Sequence, residues 1–398
     1  MFNDKARKWI VGRRGWESKL KQQLKPGERR IWVHCSSLGE FEQGRPIIET
    51  LKVQYPEHKI VLTFFSPSGY EVRKDYSYAD YVVYLPMDSS SNARKFISLV
   101  VPELTIFVKY EFWFHYLYEL NTRNIPLLLV SAAFREDQVF FKWYGGLFRK
   151  LLGYFSVVFV QDELSKKLLL DIGLKDKVVI AGDSRYDRVS AIASARKEIE
   201  PLESYKGDGN ILIAGSTWQD DEDVLKKCIA IIPKDWKIVI APHEIDQTRI
   251  EKIQELFSGQ SILYTELQQR KALENERVLI INNIGMLSSL YYYGDIAFIG
   301  GGFQKGGIHN VLEPAVFGLP ILFGPVYKKF VEANALVGQH FAFPVSSAVE
   351  CQLQLKKLIE NNKARNEIRN QLKEFMKRNT GTTEIVIDWI KRENWLAL

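Results

Sequence analysis

Short apolar runs rich in β-branched residues recur along the chain, and most are followed by a stretch whose apolar positions have helical spacing. Residues 30–35 (RIWVHC), 59–64 (KIVLTF), 81–85, 104–108, 127–131, 157–160 and 178–181 read as strands, with a helix over 42–54 between the first two. The rhythm breaks over 190–209, a charged segment with Pro201 that ends in Lys-Gly-Asp-Gly. It restarts with strands at 210–214, 237–241, 261–264, 278–281 and 296–299. The last ~50 residues carry a helical pattern. Such alternation predicts parallel sheets with helices on both faces. At 398 residues the chain exceeds one core, since single cores rarely grow past about 250–300 residues. The expected architecture is α/β, with an N-terminal domain over 1–190, a linker over 191–209 and a second domain over 210–380. A helix over 381–398 is expected to pack back on the first domain. Ligands of open parallel sheets bind outside the carboxyl ends of the strands, so a cleft served by both sheets is expected.

Composition narrows the class without naming a function. With 46% hydrophobic and 26% charged residues the chain is an ordinary globular protein. Cys35, Cys228 and Cys351 are scattered and odd in number, which excludes a disulfide framework and suits a reducing compartment. The six histidines show no metal-binding spacing. No apolar run is long enough for a transmembrane helix, and no signal peptide is visible; the abrupt charged start is read as a trimmed N-terminus. Residues 1–30 hold ten Lys/Arg and three acids, a balance of +7 within a chain of net charge +6, so the body is nearly neutral. Such an arm fits membrane lipid, a phosphorylated lipid or nucleic acid, or simply a solvated helix face.

The strongest chemical signal is 296–325, IAFIGGGFQKGGIHNVLEPAVFGLPILFGP. A strand runs into Gly300–Gly302, then Gly306-Gly307, then His309, Asn310 and Glu313 at the start of a short apolar helix. Glycines let backbone approach a ligand, and a helix N-terminus presents N–H groups to an anion. An early carboxylate suits sugar hydroxyls. Together these describe a nucleotide-sugar pocket, the plain alternative being a tight strand–helix turn. Ser216-Thr217, Pro242-His243 and Gly285-Met286-Leu287 each follow a predicted strand and fall on the same sheet edge.

The first predicted strand ends in His34-Cys35-Ser36-Ser37-Leu38-Gly39-Glu40, which is not a dinucleotide fingerprint. Glu40 falls near a helix N-terminus, either as a base for an acceptor hydroxyl or as a plain partner of the helix dipole. In the first role the dipole would keep it ionised but weaken it as a base. Glu111, after the fourth strand, is a second candidate carboxylate, and Arg185 suits an anionic substrate group or a surface ion pair. The stretch 139–155 mixes aromatics with Lys142, Arg149 and Lys150, reading as a bilayer-surface segment or as a core helix with a basic edge.

In this order HCSSLGE, YEFWF, GDSRYD, AGST, APHE, NNIGMLSSLY and GGFQKGGIHNVLEPAVFGLPILFGP resemble the 3-deoxy-D-manno-octulosonic acid (Kdo) transferases of lipopolysaccharide synthesis. The resemblance spans about residues 30–345, with GG-x4-GG-x-HN-x-LEP its most specific part. It implies a GT-B fold, two Rossmann-like open parallel-sheet domains facing a central cleft. It also implies inverting transfer of Kdo from CMP-Kdo to a lipid A precursor of the lipid IVA type. No cofactor, metal or nucleic acid is implied. The place of action implied is the cytoplasmic face of the inner membrane, an anionic surface, with the protein peripheral or anchored by an N-terminal segment absent from this chain.

By this resemblance Glu40 is the catalytic base, and Glu111 and Arg185 bind or stabilise the transferring sugar. The CMP contacts implied are Pro242, His243, Gly285, Met286, Leu287, Asn310, Val311, Leu312 and Glu313. Ser216 and Thr217, and the loop glycines Gly301, Gly302, Gly306 and Gly307, join them from the strand–turn reading above. Against the family pattern, Lys109 takes the first Glu position of ETELWPN, Phe114 replaces its Pro, His243 stands for Arg and Arg185 for Lys. The rival readings are another GT-B enzyme using a UDP-sugar and a non-catalytic membrane-surface module that keeps a nucleotide pocket.

Overall fold

The computed structural model describes residues 4–396 apart from 273. The first three residues of the expected N-terminal domain and the last two of the expected C-terminal helix lie outside the described residues. The chain divides into two compact units, Met1–Arg188 with Asn379–Leu398, and Val189–Arg378.

The first unit is a seven-stranded sheet of β1 (Arg29–Cys35), β2 (His58–Phe64), β3 (Tyr81–Tyr84), β4 (Pro102–Val108), β5 (Leu127–Ala132), β6 (Val157–Val160) and β7 (Val178–Ile180), in the order β3-β2-β1-β4-β5-β6-β7. Every pairing is parallel. The central strands are buried on both faces, which is why they read as continuous apolar runs. One face packs Trp32 against Phe96, Phe107 and Tyr116, at ring-centroid distances of 4.9, 5.2 and 5.7 Å. On the other face Ile31 and Val33 share a core with Phe41 and with Val386, Ile387 and Ile390 of the helix Thr382–Arg392. That last helix is fastened by Asp187, which accepts from the backbone of Gly381 and Thr383 at 2.6 Å each.

The basic N-terminal segment is part of this fold. It forms α1 (Asp4–Arg13) and α2 (Trp16–Gln23), and Leu20 enters the core. Arg13 is buried, donating to Leu85 O at 2.8 Å and Phe65 O at 2.6 Å, with its guanidinium over the rings of Trp9 and Phe65. Arg30 donates to Val100 O and Glu28, and Arg29 to Glu103. These three cations serve the fold, whereas Lys5, Arg7, Lys8, Arg14, Lys19, Lys21 and Lys25 are exposed.

The second unit is also a seven-stranded parallel sheet: β8 (Asn210–Thr217), β9 (Trp236–Pro242), β10 (Ser261–Leu263), β11 (Val278–Ile280), β12 (Ile296–Ile299), β13 (Ile321–Phe323) and β14 (Ala342–Pro344), in the order β10-β11-β9-β8-β12-β13-β14. The expected linker over 191–209 carries structure instead. Its helix Glu200–Lys206 buries Leu202 and Tyr205, the Tyr205 hydroxyl donates to Glu276 O, and Lys206 Nζ donates to Tyr293 O. Its charged composition reflects one-sided burial rather than a free connection.

The stretch 139–155 is not one helix. A single turn at Val139–Phe141 precedes the helix Gly146–Gly153, burying Phe140, Leu151 and Leu152 and exposing Trp143, Tyr144 and Leu147. Arg149 donates to Phe140 O and Lys142 O and so closes the turn. Among the described residues no helix is long and apolar enough to cross a membrane.

Candidate active site

In the first sheet the strand order reverses between β1 and β4, where loops diverge and leave a crevice at the carboxyl edge. Glu40 follows β1 and Glu111 follows β4, so both expected carboxylates stand at this point. Glu40 lies in the first turn of α3 (Leu38–Gln54), which starts earlier than the expected 42–54 because Ser37 caps it. Glu40 Oε2 accepts from Ser37 N–H at 2.8 Å and from the Ser37 hydroxyl at 3.1 Å. Burial first, and then the charge of Glu111, hold its pKa above the usual carboxylate value despite these bonds. The expectation that the helix dipole would weaken this base is therefore corrected: desolvation and like charge outweigh it.

Glu111 is buried and held by residues that sequence reasoning did not assign. Its Oε2 lies 3.1 Å from His34 Nε2 and accepts from the Trp113 indole. His34 Nδ1 is 2.8 Å from Thr63 Oγ1, which accepts from Trp32 Nε1 at 2.9 Å. His34 and Thr63 are register partners on β1 and β2. The available signal was two polar residues inside otherwise apolar strands. Arg185 donates to Asp183 through Nε at 3.0 Å and Nη2 at 2.7 Å, and Asp183 also accepts from Gln43 of α3 at 3.2 Å. Its carboxylate thus ties Arg185 to the helix that carries Glu40.

A carboxylate takes a proton only when ionised, so with Glu40 as base its raised pKa would set an acidic limb on turnover. Glu111→Gln removes the like charge, lowers the Glu40 pKa and moves that limb to lower pH. The pH dependence of kcat/KM measures it, and an unmoved limb removes Glu111 as the partner charge.

In the second sheet the order reverses between β8 and β12. Here Gly300 N–H donates to Gly215 O at 2.9 Å and His243 N–H to Thr217 O at 3.0 Å, gathering the ends of β8, β9 and β12. Ser216 takes a left-handed φ of 53°, strained for a non-glycine residue. The Thr217 hydroxyl is spent on Glu222, at 2.8 Å. Glu222 also receives Arg249, yet burial raises its pKa to about 7. Gly301 donates to Asp221 Oδ2 at 2.8 Å with φ at 86°, and a Cβ on Gly302 would lie 2.5 Å from Gly324 N. Burial pushes the Asp221 carboxyl up to about 6. Leu287 reaches the same edge: its Cδ1 would lie 2.9 Å from a Cβ on Gly215. Gly285 turns the chain into it with φ at 90°, and Met286 precedes the short helix Leu287–Leu290.

The helix after the glycine loop is only one turn, Leu312–Ala315. Asn310 Oδ1 caps Leu312 N–H at 3.0 Å, and Asn310 Nδ2 donates to Glu313 Oε1 at 3.0 Å. A dipole of any weight is not built here, because too few peptide units align in so short a helix. The Val311 and Leu312 side chains are buried, leaving only their backbone for a ligand. Gly306 and Gly307 close the loop, Gly306 O accepting from Lys329 Nζ at 2.6 Å. Trp218, Asp221, Tyr291 and His309 join this edge without having been assigned. Among the described residues no cluster of three or more His, Cys, Asp or Glu is placed to hold a metal ion.

Two seven-stranded parallel sheets, each with polar loops at its carboxyl edge, define a GT-B type α/β protein of two Rossmann-like domains. Solved structures share this fold. UDP-GlcNAc 2-epimerase from Neisseria meningitidis, solved bound to UDP-GlcNAc, matches with a TM-score of 0.60 at 17% identity, over 91% of this chain and 100% of that one. The calicheamicin glycosyltransferase CalG4 matches with a TM-score of 0.58 at 11% identity, over 92% and 99%. Residues 12–188 match the 3-deoxy-D-manno-octulosonic-acid transferase (kdotransferase) family. The 3-deoxy-D-manno-octulosonic acid transferase of Haemophilus influenzae is 28% identical over 376 residues, 92% of this chain and 87% of that protein. The chain is therefore similar to the Kdo transferases, over 12–188 by the family match and over most of its length by this relative.

Proposed function

We propose that the protein transfers Kdo from CMP-Kdo to a lipid A precursor, with inversion. The observation that carries the reading is the carboxylate pair at the first sheet's switch point, one member oriented by Ser37 and the other by His34 and Trp113. Glu40 takes the proton of an acceptor sugar hydroxyl. That oxygen forms a bond to the anomeric carbon as the bond from this carbon to the CMP phosphate oxygen breaks, and the electron pair leaves with CMP. Of the loop glycines, Gly301 gives its N–H to Asp221 and Gly307 its N–H to Gln304 O, so the developing phosphate charge is left to the backbone N–H groups of Gly302 and Gly306. Ser216, Pro242, His243, Gly285, Met286 and Leu287 frame the cytidine, and Asn310 and Glu313 its ribose. Arg185 takes the sugar carboxylate, leaving Asp183 to Gln43 and Gln161. Because loop amides and Arg185 carry the negative charge, the reaction is proposed to need no metal. Incubation with CMP-Kdo and a lipid A precursor, followed by mass spectrometry of the lipid, tests this. Tight UDP-sugar binding with no response to CMP overturns it in favour of another GT-B chemistry, and vesicle binding without any CMP release favours a non-catalytic module.

We place the protein at the cytoplasmic face of the inner membrane, held by the exposed cations of residues 5–25. Deleting residues 1–30 would strip Leu20 from the core and the start of β1, so charge reversal is the cleaner test. Arg14→Glu, Lys19→Glu and Lys21→Glu together are expected to weaken binding to anionic vesicles at low salt, at about 1 kcal/mol per cation. Unchanged vesicle sedimentation removes this surface from membrane binding.

A further inference from the structure

His309 stands inside the glycine loop of the second unit. Its backbone N–H donates to Gly300 O at 3.2 Å. The indole Nε1–H of Trp218, a group that can only donate, reaches His309 Nε2 at 3.1 Å. A ring nitrogen that accepts carries no proton, so in the neutral imidazole the proton sits on Nδ1. No described residue is recorded as accepting from that N–H. His243 packs on both rings, its centroid 4.3 Å from His309 at 22° and 4.9 Å from Trp218 at 30°. Asp221 Oδ2 binds this assembly to the loop, accepting from Trp218 N at 2.9 Å and Gly301 N at 2.8 Å. Gly301 leaves the room required, since a Cβ there would come 3.1 Å from His309 Cδ2 and 3.2 Å from Nε2. Burial and the neighbouring His243 hold the His309 pKa down at about 4, keeping the ring neutral near pH 7.

We propose that His309 contacts the ligand of this site, presenting a neutral Nδ1–H to an anionic oxygen of the nucleotide sugar, and that Trp218 is the positioning residue that fixes its tautomer. This rests on the CMP-sugar reading of the second unit. A neutral donor adds a directional hydrogen bond to an anion, and its strength does not titrate across the neutral range. The charged or titratable groups around the ring are His243 on its face, Asp221 behind Gly301, and Lys329, whose Nζ donates to Gly306 O.

The probe is CMP, with its affinity measured by calorimetry between pH 5.5 and 8 and the histidine tautomers read from ¹⁵N-edited spectra. His309→Ala is expected to weaken CMP about tenfold, the scale of one hydrogen bond to a charged group. His309→Asn, which keeps an N–H near the Nδ1 position, is expected to recover most of that loss. Trp218→Phe keeps the stacking but frees Nε2. Its His309 resonance should show the other tautomer, and CMP affinity should fall a few-fold across pH 5.5–8. If the wild type does not bind CMP, the donor reading falls and this inference with it. If the wild type binds CMP and His309→Ala binds it equally well, or Trp218→Phe keeps the wild-type tautomer, this inference alone is overturned.

Discussion

Glu40→Gln is expected to cut CMP release in the presence of lipid acceptor by about 10²–10⁴-fold, the range for a positioned general base, while CMP affinity stays near wild type. Glutamine preserves the shape of the side chain and still offers an oxygen to Ser37, whose N–H and hydroxyl both bond Glu40 Oε2. The start of α3 therefore survives, and the loss reads as chemistry. Glu40→Ala would add the loss of a capping box, worth about 1 kcal/mol, so the two variants separate catalysis from helix stability. A continuous assay of CMP release, with calorimetric CMP binding on the same preparations, checks both halves. Wild-type turnover in Glu40→Gln would remove this residue as the base.

The second large effect is expected at Gly300. A Cβ there would lie 2.2 Å from Ser216 O and 2.6 Å from Thr217 Cα. Both are backbone atoms of β8, the strand hydrogen-bonded to β12 at the centre of the second sheet. No rotamer change relieves that clash; the two strands must part just where Gly300 N–H meets Gly215 O. Gly300→Ala should therefore destabilise the second unit by about 3 kcal/mol or more. A chain of two compact units need not unfold in one step. The expected calorimetric trace shows a transition for Val189–Arg378 moved to lower temperature, and limited proteolysis should cut first in that unit. CMP binding should fall with it. An unshifted trace with CMP affinity intact would refute the claim.

The central strands of the first unit were legible because a parallel strand buried on both faces is a continuous apolar run bounded by polar turns, as 59–64 and 104–108 illustrate. Two strands of the second unit were not. Ile321–Phe323 follows Pro320 and Ala342–Pro344 ends on a proline, so turn signals mask these short strands. They are strands only because Ile321 pairs with Ala297 and Ala342 with Ile321. The helix Glu200–Lys206 was hidden for the opposite reason: two buried side chains in a charged segment look like a linker until their partners, near Glu276 and Tyr293, are known.

The candidate sites divide along the same line. Local order alone marked Glu40 at a strand–helix turn, the Gly300–Gly307 cluster and Asn310–Glu313, since glycine and early-helix carboxylates have local causes. His34 with Glu111, and Trp218 with His309, are 77 and 91 residues apart in the chain, and nothing near either residue announces the other. The sequence by itself determined the order of strands and helices, the two-sheet architecture and which loops carry polar groups, because hydrophobic period and turn chemistry act over a few residues. Only the tertiary structure decided that Arg13 is a core residue, that Glu40 has its pKa raised by burial and by Glu111, and that His309 carries its proton on Nδ1. Desolvation, charge and hydrogen bonding act through space, and those distances exist only once the strands are paired.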